Sequence, residues 1–230
     1  MSTVALVPAY NEAARLAPTV AALLDGVAER VLVVDDGSSD DTAGVAARAG
    51  AEVIRLSRNR GKGAAVTAGL SQIVGDEAAR WILLADADLG DSARVLDRLL
   101  EPVRSGRADL AIASFETAGG FGLVKRAAAR GVQCLTGFRP RSPLSGQRAL
   151  AREAVQRLLP LSGGWGLEVG MTVRALWAGL RVLEVELPLR HRETGRSLAG
   201  FLHRGRQGAG ILATLCRLAV TRAFSRGAGK

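Results

Sequence analysis

The chain has 230 residues, of which 48% are hydrophobic and 4% aromatic, with two cysteines and a formal net charge of +9. That length suits one α/β domain with a sizeable core, filled mainly by Ala, Val and Leu, and leaves little room for two. Two distant thiols, Cys134 and Cys216, exclude a disulfide framework and a cysteine metal cluster, and no apolar run approaches the ~20 residues a spanning helix needs.

Residues 4–7 form a short apolar run closed by Pro8, the pattern of a buried strand. Residues 12–24 carry Leu16, Val20, Leu23 and Leu24 at helical spacing. A second apolar run at 31–34 stops at Asp35-Asp36-Gly37. Ser39 or Asp40 can cap the next helix, which runs to about Ala49 and ends at Gly50. A third strand is expected at 53–56. Gly61-Lys62-Gly63 opens a helix carrying Val66, Leu70 and Ile73, and a fourth strand at 81–84 runs into Asp86-Ala87-Asp88. Ser92 is expected to cap a helix to about Arg104, and 110–113 reads as a fifth strand. Strands and helices alternating at these intervals argue for a parallel sheet covered on both faces. Beyond Phe115 the pattern loosens. A helix is expected at 123–135, an Arg-, Pro- and Ser-rich loop at 137–146, short helices at 152–159 and 167–178, and a strand at 182–187. From about Ser197, apolar residues including Ile211, Leu212, Leu215 and Leu218 fall at roughly helical spacing.

Ligands of such sheets bind beyond the carboxyl ends of the strands. Four of those ends carry polar clusters: Ala9-Tyr10-Asn11-Glu12, Asp35-Asp36-Gly37-Ser38, Arg58-Asn59-Arg60-Gly61-Lys62 and Asp86-Ala87-Asp88. Charge is divided as well. Residues 1–120 hold 12 Lys/Arg and 17 Asp/Glu, whereas residues 121–230 hold 19 and 5. The acidic half suits a metal cation and the basic half suits anions such as phosphates, although an Arg-rich composition also accounts for the total.

Asp86-x-Asp88 is the sharpest constellation. Such carboxylates suit a hard divalent cation shared with diphosphate oxygens, acting as a Lewis acid on a departing nucleotide diphosphate; taken alone, the pair also fits an ordinary helix start. Lys62 and the free N–H groups around it suit a diphosphate. The spacing is not that of a P-loop, and no Gly-x-Gly-x-x-Gly follows the first strand, which argues against ATPase and dinucleotide sites. His191 lies between Arg190 and Arg192, whose charges favour a neutral imidazole able to bind metal; the alternative is a plain loop histidine. Glu168 follows Gly164-Trp165-Gly166-Leu167, where Trp165 offers a stacking face to a sugar ring. The glutamate is placed to orient a sugar hydroxyl or to stabilise positive charge near the anomeric carbon, unless it is simply a first-turn residue favoured by the helix dipole. Arg139, Arg141 and Arg148 surround Pro143-Leu144-Ser145-Gly146, either as forked donors to phosphate or as a solvated basic loop. No nucleic-acid-binding module is recognisable.

Val7-Pro8-Ala9-Tyr10-Asn11-Glu12, Val33-Val34-Asp35-Asp36-Gly37-Ser38, Asn59-Arg60-Gly61-Lys62-Gly63 and Asp86-Ala87-Asp88 together resemble the nucleotide-sugar motifs of the GT-A glycosyltransferases of family 2. The resemblance implies an α/β, mainly parallel GT-A sheet, with Pro8, Ala9, Tyr10, Glu12, Asp36, Lys62, Asp86, Ala87 and Trp165 as donor-binding residues. It also implies Asp88 and His191 as ligands of Mg2+ or Mn2+. Pro143-Leu144-Ser145-Gly146, Gly164-Trp165-Gly166-Leu167-Glu168-Val169-Gly170 and His191-Arg192 are similar to the glucosyl-3-phosphoglycerate synthases within that family. By that likeness Glu168 and Asp86 are the catalytic candidates, and Gly137, Arg139, Arg141 and Ser145 face a small phosphorylated acceptor. UDP-glucose is the donor first expected. Gln147 stands where that likeness leads one to expect an acid. The implied division is one domain: a nucleotide-sugar half at 1–115, an acceptor half at 116–196, and an amphipathic helix with a tail at 197–230. The opening motifs also resemble polyprenyl-phosphate sugar transferases, but Leu89-Gly90-Asp91-Ser92 replaces the Gln and Pro usual after their Asp-x-Asp. The Glu-Asp base motif of inverting members is also not evident, so a retaining enzyme is expected. The N-terminus carries no basic-then-apolar signal, so the location expected is cytoplasmic. Peripheral membrane contact, a homodimer, and a catalytically silent nucleotide-sugar sensor are the remaining alternatives.

Overall fold

The computed structural model describes residues 2–114, 122–161, 166–188 and 210–221. The first half follows the expected alternation: β1 (Ser2–Ala9), α1 (Leu16–Leu24), β2 (Arg30–Asp35), α2 (Thr42–Arg48), β3 (Glu52–Arg55), α3 (Lys62–Val74), β4 (Ala79–Leu84), a 3-10 segment (Gly90–Leu96), α4 (Asp97–Arg104) and β5 (Leu110–Ser114). Then come α5 (Gly122–Thr136), β6 (Arg148–Ala151), α6 (Arg152–Leu158), α7 (Leu167–Trp177) and β7 (Val182–Glu186). A last helix, α8, occupies residues 210–221.

The strands form one seven-stranded sheet in the order β3-β2-β1-β4-β6-β5-β7. All pairings are parallel except those of β6, which runs antiparallel to both β4 and β5. The sequence reading expected no strand at 148–151. Four residues beginning with an arginine give too short a run to show a period of two, and the pairing partners lie far away in sequence. The reversal has a functional consequence. Leu84 at the end of β4 pairs with Arg148 at the start of β6, so the residues leading into β6 reach the edge where the parallel strands end.

Alternation along β1 divides the core. Ala5 and Val7 face a cluster with Leu16, Val20, Leu23, Leu96, Leu99 and Leu100 from α1, the 3-10 segment and α4. Val4 and Leu6 face Val66, Leu70, Ile73, Leu158, Leu167 and Met171 from α3, α6 and α7. Helices thus cover both faces, as period-two burial on a central strand requires. Gly69 lets α3 lie close to β1: a Cβ there would sit 2.3 Å from Leu6 Cδ1. A third cluster joins Ala128 and Val132 of α5, Val169 and Val173 of α7, and Ile211, Leu215 and Leu218 of α8.

Two local expectations are corrected. Helix α1 starts at Leu16 rather than near residue 12, because Glu12 to Arg15 form a turn in which the Glu12 carbonyl accepts from the N–H groups of Arg15 and Leu16. Ser92 does not cap a helix. Its hydroxyl donates back to the Leu89 carbonyl inside the 3-10 segment, and the α-helix begins only at Asp97. Of the two cap candidates before α2, Asp40 is the one engaged, accepting from the Thr42 N–H at 3.1 Å.

Candidate active site

The ends of β1 and β2 are stitched into one surface. The Asn11 N–H donates to Ser38 Oγ at 2.9 Å, Asn11 Oδ1 accepts from the Ser39 N–H at 2.9 Å, and the Glu12 N–H donates to Thr42 Oγ1 at 2.9 Å. Asn11 takes a positive φ of 55°, a conformation that asparagine tolerates better than most residues. Tyr10 projects from this surface with 46% exposure, beside the half-buried Pro8 and the buried Ala9. Such an exposed aromatic at a sheet edge presents a flat face to a ring-shaped ligand.

The carboxylates after β2 work on the protein itself. Asp35 is fully buried, accepting from the Ser38 N–H at 2.9 Å with Arg55 Nε 3.2 Å from its other oxygen. Asp36 accepts from the backbone N–H groups of Arg60 and Gly61 at 2.8 and 2.7 Å. It thereby fixes the loop that delivers Lys62 to the start of α3. Gly37 is obligatory there. Its φ is +72°, and a Cβ would lie 2.5 Å from the Arg58 backbone carbon.

Lys62 is the centre of the site. Its Nζ donates to Asp86 Oδ1 at 2.7 Å and lies 3.4 Å from Glu168 Oε1. Crowding costs the ammonium hydration and pulls its proton affinity down, but the charges of Asp86 and Glu168 outweigh that and push its pKa above the usual lysine range. Asp86 Oδ2 in turn accepts from Gln147 Nε2 at 2.6 Å. Gly146 makes the close approach possible, since a Cβ there would lie 2.6 Å from Lys62 Nζ and 3.0 Å from Asp86 Oδ1. The pocket around this cluster is lined by Pro8, Lys62, Asp86, Gly146, Arg148 and Glu168, with Leu84, Leu167 and Met171 as its apolar wall.

Arg148 lies fully buried beside the cluster. Its Nε donates to the Ser145 carbonyl and its Nη1 to Thr172 Oγ1, both at 3.0 Å, while Nη2 is buried without a partner among the described residues. Burial pulls its pKa down to about 10, against the opposing pull of Glu168 and Glu184. The loop after α5 is fixed from β7, where Glu184 accepts from the N–H groups of Arg141 and Ser142 at 2.8 Å each.

The expected residues therefore divide into groups. Lys62, Asp86, Glu168 and Pro8 line one pocket, and Ser145 is buried just behind it, its hydroxyl 3.3 Å from Gln147 Oε1. Ala87 is buried, its carbonyl accepting from Thr19 Oγ1, whose oxygen also receives the Gly90 N–H. Thr19 thus pins the Asp86–Asp88 turn and leaves the Asp88 side chain exposed. Glu12 is half-buried and pairs with Arg15 at 3.2 Å. Gly137, with φ +81°, and Arg139 are exposed on the loop after α5, and the Arg141 guanidinium is 79% exposed. Trp165 and His191 lie outside the described residues. The sequence reading missed Gln147 as the partner of Asp86, and it took Arg148 as a forked donor to phosphate or part of a solvated basic loop, whereas Arg148 begins a buried strand. Two polar residues directly after Ser145-Gly146, leading into Ala149-Leu150-Ala151, were the available signal.

Known proteins share both the pattern and the shape. Residues 4–152 match the family Glycosyl transferase family 2. The chain belongs to that family. This glycosyltransferase is 33% identical over 216 residues to an undecaprenyl-phosphate mannosyltransferase of Micrococcus luteus, covering 86% of this chain and 87% of that one. It is 30% identical to the glucosyl-3-phosphoglycerate synthase of Mycolicibacterium smegmatis, covering 73% of its own length and 62% of the relative's. Its fold superposes on a Mycobacterium tuberculosis glucosyl-3-phosphoglycerate synthase solved with Mn2+, uridine-diphosphate-glucose and phosphoglyceric acid. That likeness has a TM-score of 0.78 and 25% identity, and covers 94% of this chain and 79% of that one. The mixed, mainly parallel sheet with helices on both faces is the GT-A architecture of those neighbours.

Proposed function

We propose that the chain transfers a hexose from a nucleotide-diphosphate sugar to a small phosphorylated acceptor, with Mg2+ or Mn2+ as cofactor. The observation that carries this reading is the Lys62–Asp86–Glu168 cluster beside the exposed Asp88, all at the edge where the parallel strands end. The donor half is residues 1–115 and the acceptor half residues 116–196. The nucleotide lies over Pro8, Ala9 and Tyr10, and Glu12 and Asp36 support the same surface. Lys62 holds the diphosphate, Asp86 contacts the nucleotide or sugar, and Glu168 faces the sugar ring, with Trp165 as its stacking partner. Gly137, Arg139, Arg141 and Ser145 receive the acceptor.

The chemistry of the donor set fits the cation. Asp88 offers a hard, solvent-facing carboxylate, whereas Asp86 is engaged by Lys62 and Gln147. Mg2+ is commonly held by one or two carboxylates together with substrate phosphates and water, an arrangement that a single exposed carboxylate such as Asp88 suits. Asp88 and His191 are the residues that would hold it, and it would supply Lewis-acid neutralisation of the departing diphosphate. Lys62 adds fixed positive charge to the same leaving group, in place before reaction and so without reorganisation cost.

A relative crystallised with UDP-glucose and Mn2+ makes that donor the first to test. Asp88→Ala is expected to lower transfer at least a hundredfold at an unchanged melting temperature, and chelation of the divalent cation to do the same. Full activity in the chelated enzyme would overturn the metal-assisted reading. A second reading keeps the donor chemistry but gives the phosphate acceptor a polyprenyl tail. It rests on the 87% coverage of the undecaprenyl-phosphate mannosyltransferase and on Leu212 and Val220 of α8, exposed at 54% and 55%.

A further inference from the structure

Gln147 is fully buried, yet it is polar and sits immediately before β6, whose first three residues are buried as well. Its carboxamide is used at both ends. Nε2 donates to Asp86 Oδ2 at 2.6 Å, and Oε1 lies 3.3 Å from Ser145 Oγ as acceptor. Lys62 takes the other oxygen of Asp86 at 2.7 Å. A carboxylate held by two donors on different oxygens has its plane fixed, and a short bond to an ionised acceptor is among the stronger ones proteins make. The carboxylate, which only accepts, fixes the amide's orientation: the NH2 must face Asp86, and the amide oxygen is left to receive the serine hydroxyl.

We propose that Gln147 is a positioning residue for the donor site. It sets the angle at which Asp86 meets the sugar nucleotide, and it joins that carboxylate to Ser145 of the acceptor loop. The inference rests on the reading of Asp86 as a donor contact. The antiparallel β6 is what makes the link possible, since it brings a residue of the acceptor half alongside the end of β4. An acid at 147 would set two carboxylates against each other at this distance, whereas the amide supplies a donor with no charge of its own.

Donor affinity tests the role, read by titration of sugar nucleotide with Mn2+. UDP-glucose, GDP-mannose and ADP-glucose are screened, and the one that most raises the wild-type melting temperature is used. Gln147→Met keeps the volume and removes both hydrogen bonds. It is expected to weaken donor binding about tenfold and to lower kcat, with the ligand-free melting temperature within a few degrees of wild type. Gln147→Glu keeps the shape, removes the donor, and is expected to weaken binding at least as much, which keeps the test open if the methionine variant folds poorly. In an Asp86→Ala background the Gln147→Met change is expected to cost nothing more, because interacting groups are non-additive. Equal affinity in wild type and both single variants, or additive losses in the double variant, would overturn the positioning role while leaving the donor site standing. No binding of any of the three nucleotides to wild type would overturn the donor reading and this role with it.

Discussion

A buried guanidinium is expensive, and Arg148 is one. It is 1% exposed, one of its terminal nitrogens has no partner among the described residues, and its pKa is pulled down to about 10. Two hydrogen bonds offset part of the desolvation, to the Ser145 carbonyl and Thr172 Oγ1. Replacing a buried charge by an apolar residue of similar volume is often neutral or stabilising. Arg148→Met is therefore expected to melt at the same temperature as wild type or higher, yet to lose at least tenfold in transfer rate. The pH dependence has a definite sign. The folded pKa is below the unfolded one, so the unfolded chain binds more protons only above about pH 10, and stability attributable to this group rises with pH only there. The difference in melting temperature between variant and wild type should thus stay constant from pH 6 to pH 9. A difference that changes across that window would mean that another group titrates with Arg148.

At the scale of elements, the pocket around Lys62 depends on how α3 lies against β1. Lys62 is the first residue of that helix, and Gly69, two turns on, lets the helix touch Leu6. Gly69→Ala puts a Cβ 2.3 Å from Leu6 Cδ1. Such overpacking costs about 1–3 kcal/mol, or roughly 2–12 °C for a domain of this size. A thermal melt checks it, and donor KM should move little, because the strain falls seven residues along the helix from Lys62. These parallel elements were legible in the sequence. Apolar runs such as Val31–Val34 and Trp81–Leu84 end abruptly in acidic residues, and each is followed by a helical period. Strand β6 was not legible. Its Arg148 reads as a surface residue until the pairing with Leu84 and Ile112 buries it, and pairing across 64 residues leaves no local trace. Asp36 teaches the complementary lesson. Its motif pointed to a nucleotide, but both of its oxygens hold the Arg60–Gly61 backbone, so part of what a donor motif encodes is the scaffold under Lys62.

The whole molecule carries its charge unevenly, and the imbalance is steepest at the end. Residues 194–230 hold Arg196, Arg204, Arg206, Arg217, Arg222, Arg226 and Lys230 and no acidic side chain. Within that stretch, α8 buries Ile211, Leu215 and Leu218 against α5 and α7 and leaves Leu212 and Val220 outward, four residues on either side of the exposed Cys216. Among the described residues no helix is long and apolar enough to cross a membrane. Basic residues near an anionic surface contribute about 1 kcal/mol each, and salt screens them. If the acceptor carries a polyprenyl tail, the protein should sediment with vesicles containing phosphatidylglycerol at low salt, remain in the supernatant with pure phosphatidylcholine, and be released at high salt. Leu212→Glu with Val220→Glu should abolish sedimentation while leaving the melting temperature nearly unchanged, because both residues are more than half exposed. Sedimentation that survives the double variant would assign the contact to arginines elsewhere. No sedimentation at low salt, with transfer to a water-soluble phosphorylated acceptor intact, would decide for the small acceptor, since an isoprenoid tail must be met where the lipid is.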